Sequence, residues 1–208
     1  MICASLNSLS IAQTEALARL LCLLESGEGA AALSFSALAK DHPAVGAEAA
    51  LAEIATEEQL HGTWVNAMAS WLPVAAGVRP AILAARRLHV AIGRGSVAER
   101  LAGVAALDSA VCILFSRLLQ ARAPLASSGE IATILRRIHR DEARHVTIAS
   151  HFALGCDAPA VLRQRAALIR DEFANVLALV AADFDSLAVD PDRLLRSVRA
   201  LPTGLLAG

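Results

Sequence analysis

Two stretches of this chain place a carboxylate three residues ahead of a histidine: Glu58-Gln59-Leu60-His61, and Glu142 ahead of His145 within Asp141-Glu142-Ala143-Arg144-His145. Residues i and i+3 of a helix project from nearly the same face, so each pair can offer a carboxylate and an imidazole to one point. Glu28 and Asp108 add single acids in two other segments. A doubled Glu-x-x-His with two further acids is the pattern by which facing helices hold two metal ions in a bundle interior. Mixed carboxylate and imidazole ligation suits two iron ions, with manganese as the alternative.

Such a set works only if helices bring it together. Breakers at Asp41-His42-Pro43, Pro73 to Pro80, Gly93 to Ser96, Pro124 to Gly129, Gly155 to Pro159 and Asp190-Pro191 divide the chain. They predict helices over 9–40, 44–72, 80–92, 96–123, 128–154 and 159–187, with a short one near 191–199. Apolar seams at spacings of three and four run through the long segments. They read Leu17, Leu21, Leu24, Glu28, Ala31, Phe35, Leu38 in the first and Leu51, Ile54, Glu58, His61, Val65, Met68, Leu72 in the second. The 96–123 segment gives Leu101, Val104, Asp108, Val111, Phe115, Leu118, and 128–154 gives Ile131, Leu135, Ile138, Glu142, His145, Ala149, Phe152. Each polar interruption falls in the middle of its helix, so antiparallel packing puts all of them in one layer. Four buried carboxylates repel one another and need cations or protons, and two divalent ions balance them.

The bulk composition agrees with an all-α fold. Aromatic residues are 3% of the 208 and Tyr is absent, while Ala and Leu dominate. The expectation is one domain over 1–208, with a bundle core over 9–154 and extra C-terminal helices over 159–199, and 80–92 belonging to a crossover. Mean hydropathy is +0.52, yet the longest uncharged stretch, 62–78, contains Asn66, Ser70 and Pro73 and suits a buried helix end better than a membrane span. Residues 1–7 lack the basic region of a secretory leader, so the expected location is the cytoplasm, with no membrane partner. Cys3, Cys22, Cys112 and Cys156 form no Cys-x-x-Cys pair, which leaves thiols rather than a disulfide framework or a sulfur-ligated metal site. A net charge of −1 argues against a nucleic-acid partner bound through a basic face.

At these motifs the chain resembles the ferritin-like di-iron carboxylate superfamily over about residues 28–145. The order Glu, Glu-x-x-His, acid, Glu-x-x-His is matched in full, and the intervals from Glu28 to Glu58 and from Asp108 to Glu142 are similar to those of its oxygen-activating members. The run Asp141 to His145 looks like the D-E-x-R-H form of the monooxygenase hydroxylases. The resemblance implies a ferritin-like four-helix bundle with flanking helices and metal ligands Glu28, Glu58, His61, Asp108, Glu142 and His145. It also implies that Asp141 and Glu57 orient the ligand histidines and that Arg144 pairs with one of those acids. Asp108 departs from the pattern, standing where most members have Glu. Without Tyr there is no tyrosyl radical, and without Cys-x-x-Cys no rubredoxin-type iron, so an external electron donor is implied.

Several residues have two readings. Glu25 lies one turn from Glu28 and could replace it, although Glu28 holds the seam position, with Phe35 at i+7. His139 shares the face of Glu142 and reads as an end-of-core histidine or as an extra ligand, as in N-oxygenases resembling p-aminobenzoate oxygenase. Phe35, Val65, Val111, Cys112 and Phe115 flank the ligands as a candidate substrate pocket. Trp64 suits surface packing or electron relay, while His42, His89 and His151 have no partners at ligand spacing.

The expected activity is a non-haem di-iron oxidase or oxygenase acting on dioxygen and a small, mainly apolar organic substrate, with a homodimer as the candidate assembly. A ferritin- or rubrerythrin-like ferroxidase or peroxide-handling protein is the first alternative. A tRNA-modifying hydroxylase is the second, and a bundle that keeps its metal only for stability is the third.

Overall fold

The computed structural model describes residues 9–42 and 44–207; Cys3 and the stretch 1–7 weighed above as a leader lie outside them. Among the described residues the chain is all-α. Its helices are α1 (Ile11–Asp41), α2 (Ala47–Ala69), α3 (Arg79–Ile92), α4 (Val97–Leu118), α5 (Glu130–Leu154), α6 (Pro159–Ala178), α7 (Ala181–Ser186) and α8 (Pro191–Arg199), with a 3-10 turn at Pro124–Ser127.

Local chemistry sets the helix ends. Ser10 and Gln13 form a reciprocal capping box at the start of α1, and Ser96 and Glu99 form another at the start of α4. Gly46 takes φ 84°, a left-handed turn that suits glycine and lets the α1/α2 connection stay short.

The long helices α1, α2, α4 and α5 form a ring in which α1 meets α2, α2 meets α5, α5 meets α4 and α4 meets α1. Side-chain pairs show the directions. Glu57 of α2 reaches His145 of α5 while His61 reaches Asp141, so these two helices run antiparallel. Arg100 near the start of α4 meets Asp41 at the end of α1 at 2.8 Å. Helices α2 and α4 are therefore parallel, and the chain must return along the bundle between them. Helix α3 makes that return, packing on α1, α6 and α4. A Cβ at Gly103 would come within 3.2 Å of Ile92 Cγ2, so the missing side chain there admits the close approach of α3 to α4.

Two expected elements change. The 96–123 helix ends at Leu118, and the 3-10 turn that follows buries Leu125. The 159–187 helix is two: after Ala178 the chain bends at Val180 (φ −122°, ψ 25°) into α7. No Gly or Pro marks that bend. It carries Asp183 to Arg19 of α1, which donates from Nε and Nη2 at 2.9 and 2.8 Å, and buries Phe184. These tertiary contacts outweigh the local preference for a continuous helix.

One apolar core joins α1 to the C-terminal Leu205 and Leu206. The seams read from the sequence face it at nearly every position; Val111 and Phe152 are half-buried, and Leu72 lies beyond the end of α2. Helix α4 alone among the described residues is long and apolar enough to cross a membrane, and 72% of that apolar window is buried inside the protein.

Candidate metal centre

The middles of the four ring helices meet in one polar layer. His61 and His145 are 0% exposed, Glu58 1%, Glu142 3%, Asp108 4% and Glu28 5%, so six ionisable side chains share a dry interior. They fall into two groups whose ligand atoms lie within 4.8 Å of one another: Glu28, Glu58, His61 and Glu142, and Glu58, Asp108, Glu142 and His145. Glu58 and Glu142 belong to both. The structure thus brings together all six of the expected ligands. It favours Glu28 over Glu25, which is half-buried and belongs to neither group.

Each imidazole is held from outside the layer. His61 Nε2 donates to Asp141 Oδ2 at 3.2 Å and His145 Nε2 donates to Glu57 Oε2 at 2.9 Å. A carboxylate oxygen accepts, so the proton is fixed on Nε2 and Nδ1 turns inward. His61 Nδ1 lies 3.5 Å from Glu28 Oε2, 3.5 Å from Glu142 Oε1 and 3.7 Å from Glu58 Oε2. The holding is reciprocal, because the acid preceding the glutamate of each Glu-x-x-His pair reaches the histidine of the opposite helix. Arg144 donates to Glu57, completing the set of outer residues implied by the D-E-x-R-H resemblance.

The inner atoms are not satisfied by one another. His145 Nδ1 and Glu58 Oε1 are 2.9 Å apart, yet neither is aligned for a hydrogen bond, and His61 Nδ1 and Asp108 Oδ2 are likewise buried without a partner. Buried polar atoms of this kind are costly. Converging carboxylate oxygens and imidazole nitrogens are satisfied either by protons or by a cation, and two carboxylate-and-imidazole sets fit iron or manganese.

The electrostatics agree. Burial alone would lower the His61 imidazole, but contact with Glu142, Glu28 and Glu58 outweighs it and pushes it up to about 12. The same opposition, with Glu142 and Glu58, pushes His145 up to about 11. Burial, reinforced by neighbouring carboxylates, holds Glu28 and Asp108 well above the usual carboxylate range. Glu58, which burial would raise, is brought down to about 2 by its contacts with His145 and His61. Without metal, the layer collects protons in place of cations.

An apolar cavity of about 60 Å³ adjoins the layer on the side of Glu28 and Asp108. Leu20, Leu23, Leu24 and Ala31 of α1 line it with Leu107, Val111, Leu114 and Leu118 of α4, and Phe173 and Leu177 of α6 close it. Of the pocket residues expected from the sequence, one lines this cavity. Val111 lines the cavity, but Phe35, Val65, Cys112 and Phe115 do not. Phe35 packs edge-on to His145 with ring centroids 6.0 Å apart, and Val65 and Phe115 are fully buried in the core. Burial, then the charges of Glu142 and Asp108, pushes the Cys112 thiol up to about 12, so it is an inert side chain facing α5.

His139 joins neither ligand group; its Nε2 lies 3.4 Å from Ser116 Oγ, and its ring packs near Phe115. Trp64 lies tilted beside His61, with ring centroids 5.7 Å apart, and carries the Arg137 guanidinium 4.5 Å above its ring, the geometry of surface packing. His89 of α3, which has no sequence partner at ligand spacing, lines the cavity. Its placement one turn after Ala85, beside the buried Ala81, Leu88 and Ile92, was the signal available in the sequence.

No protein-family model matches the chain, and no curated protein is detectably similar to it.

Proposed function

We propose that the chain is a non-haem di-iron oxidase or oxygenase on a ferritin-like bundle, using dioxygen to oxidise a small, mainly apolar molecule. The observation that carries this reading is the sharing of Glu58 and Glu142 by two ligand groups beside an apolar cavity. Glu28 and His61 would hold one ion, Asp108 and His145 the other, and Glu58 and Glu142 both. Bound there, two ferrous ions supply the electron pair that reduces dioxygen. The chain's own residues do the rest. Asp141 and Glu57 keep the Nε2 protons in place, so that each Nδ1 presents its lone pair inward. The leucines and Phe173 exclude water from the face where a substrate would meet the layer. With no Tyr and no Cys-x-x-Cys in the chain, further electrons would come from an external donor. Manganese fits the same ligands.

A second reading, a ferroxidase or peroxide-handling protein, is favoured by the cavity's size. A free volume of about 60 Å³ leaves room for only a few heavy atoms, a range that takes in dioxygen and peroxide as well as a small alcohol. A tRNA-modifying hydroxylase draws no support from a net charge of −1.

Anaerobic loading with ferrous iron, followed by metal analysis and dioxygen uptake, tests these readings. An oxidase or oxygenase binds about two irons per chain and stops. Continued accumulation on exposure to dioxygen selects the ferroxidase, and failure to hold iron or manganese ends both.

A further inference from the structure

The cavity beside the candidate metal centre is lined by eighteen residues. Four are the carboxylates Glu28, Glu58, Asp108 and Glu142, which face the layer, and one more, His89, is polar. Every other lining residue is Gly, Ala, Leu, Val or Phe. His89 comes from α3, the crossover helix, which supplies none of the six candidate ligands and joins neither ligand group. Its ring makes no side-chain hydrogen bond among the described residues, and its nitrogens are not among the sealed, partnerless atoms of the interior. They therefore retain access to free space.

Opposite stands Gly27, the residue before Glu28. A Cβ built there would come to 3.9 Å from His89 Nε2, so the absence of a side chain leaves that nitrogen uncovered. Burial lowers the imidazole to about 4, which keeps it neutral, with one nitrogen donating and the other accepting. No arginine or lysine lines the cavity, so no side chain there offers a counter-charge to an anionic guest.

We infer that His89 is the hydrogen-bonding anchor of a ligand subsite in this cavity, for a small, neutral, mainly apolar molecule carrying one polar group, such as an alcohol. The anchor would fix which end of the guest faces the carboxylate layer. The subsite as a substrate position rests on the proposed metal-dependent oxidation, whereas binding itself can be measured without turnover.

The probes are isopropanol and isobutane, which have the same heavy-atom shape and differ in one hydroxyl. Each is titrated by methyl NMR, following Leu24, Leu107 and Val111, into protein loaded with redox-silent zinc and into the metal-free protein. In the His89→Leu variant isopropanol affinity should fall about fivefold, the value of one hydrogen bond, while isobutane affinity holds or rises. The His89→Gln variant, which keeps a donor and an acceptor, should recover most of the loss. Equal changes for both probes, or no isopropanol binding to the unaltered protein, would overturn the subsite. A fall in zinc stoichiometry in His89→Leu would also overturn it, by making His89 a metal ligand. If the unaltered protein binds no zinc, the metal reading fails separately, and the metal-free titrations still decide the subsite.

Discussion

The two halves of the polar layer are built differently. On the α2/α5 side each helix contributes a Glu-x-x-His pair, and each histidine is tied to the opposite helix through Asp141 or Glu57. On the α1/α4 side stand single acids, Glu28 and Asp108, with no hydrogen bond from outside the layer among the described residues, and beyond them lies the apolar cavity. One half is braced and the other open. Bracing fixes ligand directions, while the less restrained acids leave room for change where an external molecule would approach.

Substitutions on either side should separate these roles. The largest effect is expected from Glu58→Ala, which removes a ligand common to both groups: binding should fall from about two ions per chain to fewer than one by metal analysis. Glu28→Gln, on the open side, should cost one ion and leave the other. Equal loss from the two variants would mean that the ions are not shared as described.

The next effect concerns stability without metal. His61 and His145 have raised pKa values in the folded protein, so their contribution is complete below their ordinary value near 6.5 and is lost as pH rises through about 12 and 11. Glu28 and Asp108, also raised, act in the same direction. Denaturant titrations of metal-free protein should therefore show stability falling from pH 7 to 9, by up to about 1.4 kcal/mol per pH unit for each imidazole. Zinc-loaded protein should lose most of that slope. A metal-free protein equally stable at both pH values would show that the layer does not hold these protons.

The smallest effect tests the bracing. Asp141→Asn and Glu57→Gln should keep the stoichiometry and weaken binding about 10- to 100-fold by competition with a chelator. Glu57→Gln should be the worse of the two, since Glu57 also holds Arg144. If both leave affinity unchanged, the two halves do not differ in the way described.

All six candidate ligands were legible, and the cavity was not. Helical spacing identifies which side chains share a face, and a polar residue on an apolar seam announces itself, so Glu28, Glu58, His61, Asp108, Glu142 and His145 followed from periodicity and Glu57, Asp141 and Arg144 from motif resemblance. The cavity beyond Glu28 and Asp108 depends on which neighbours cover the flanks of a helix, and local spacing carries no record of that. Leu107 and Leu114 sit beside the Asp108 seam rather than on it, and their partners Phe173 and Leu177 come from a helix far along the chain. His89 stayed obscure for the same reason: its meaning depends on where the crossover lies. The bend before α7 was equally hidden, because distant contacts of Asp183 and Phe184 fix it.

The reciprocal bonds between α2 and α5 also specify alignment. The chain builds two hairpins, α1/α2 and α4/α5, whose apolar faces are rich in Ala and Leu and could meet in several alignments. Sliding one hairpin by a single helical turn, about 5.4 Å, would break both histidine–carboxylate bonds together and set charged groups against leucines. One polar layer therefore disfavours the shifted assemblies that the apolar part of the interface would tolerate, acting, together with the Arg100–Asp41 pair between α4 and α1, as a register pin between the two hairpins.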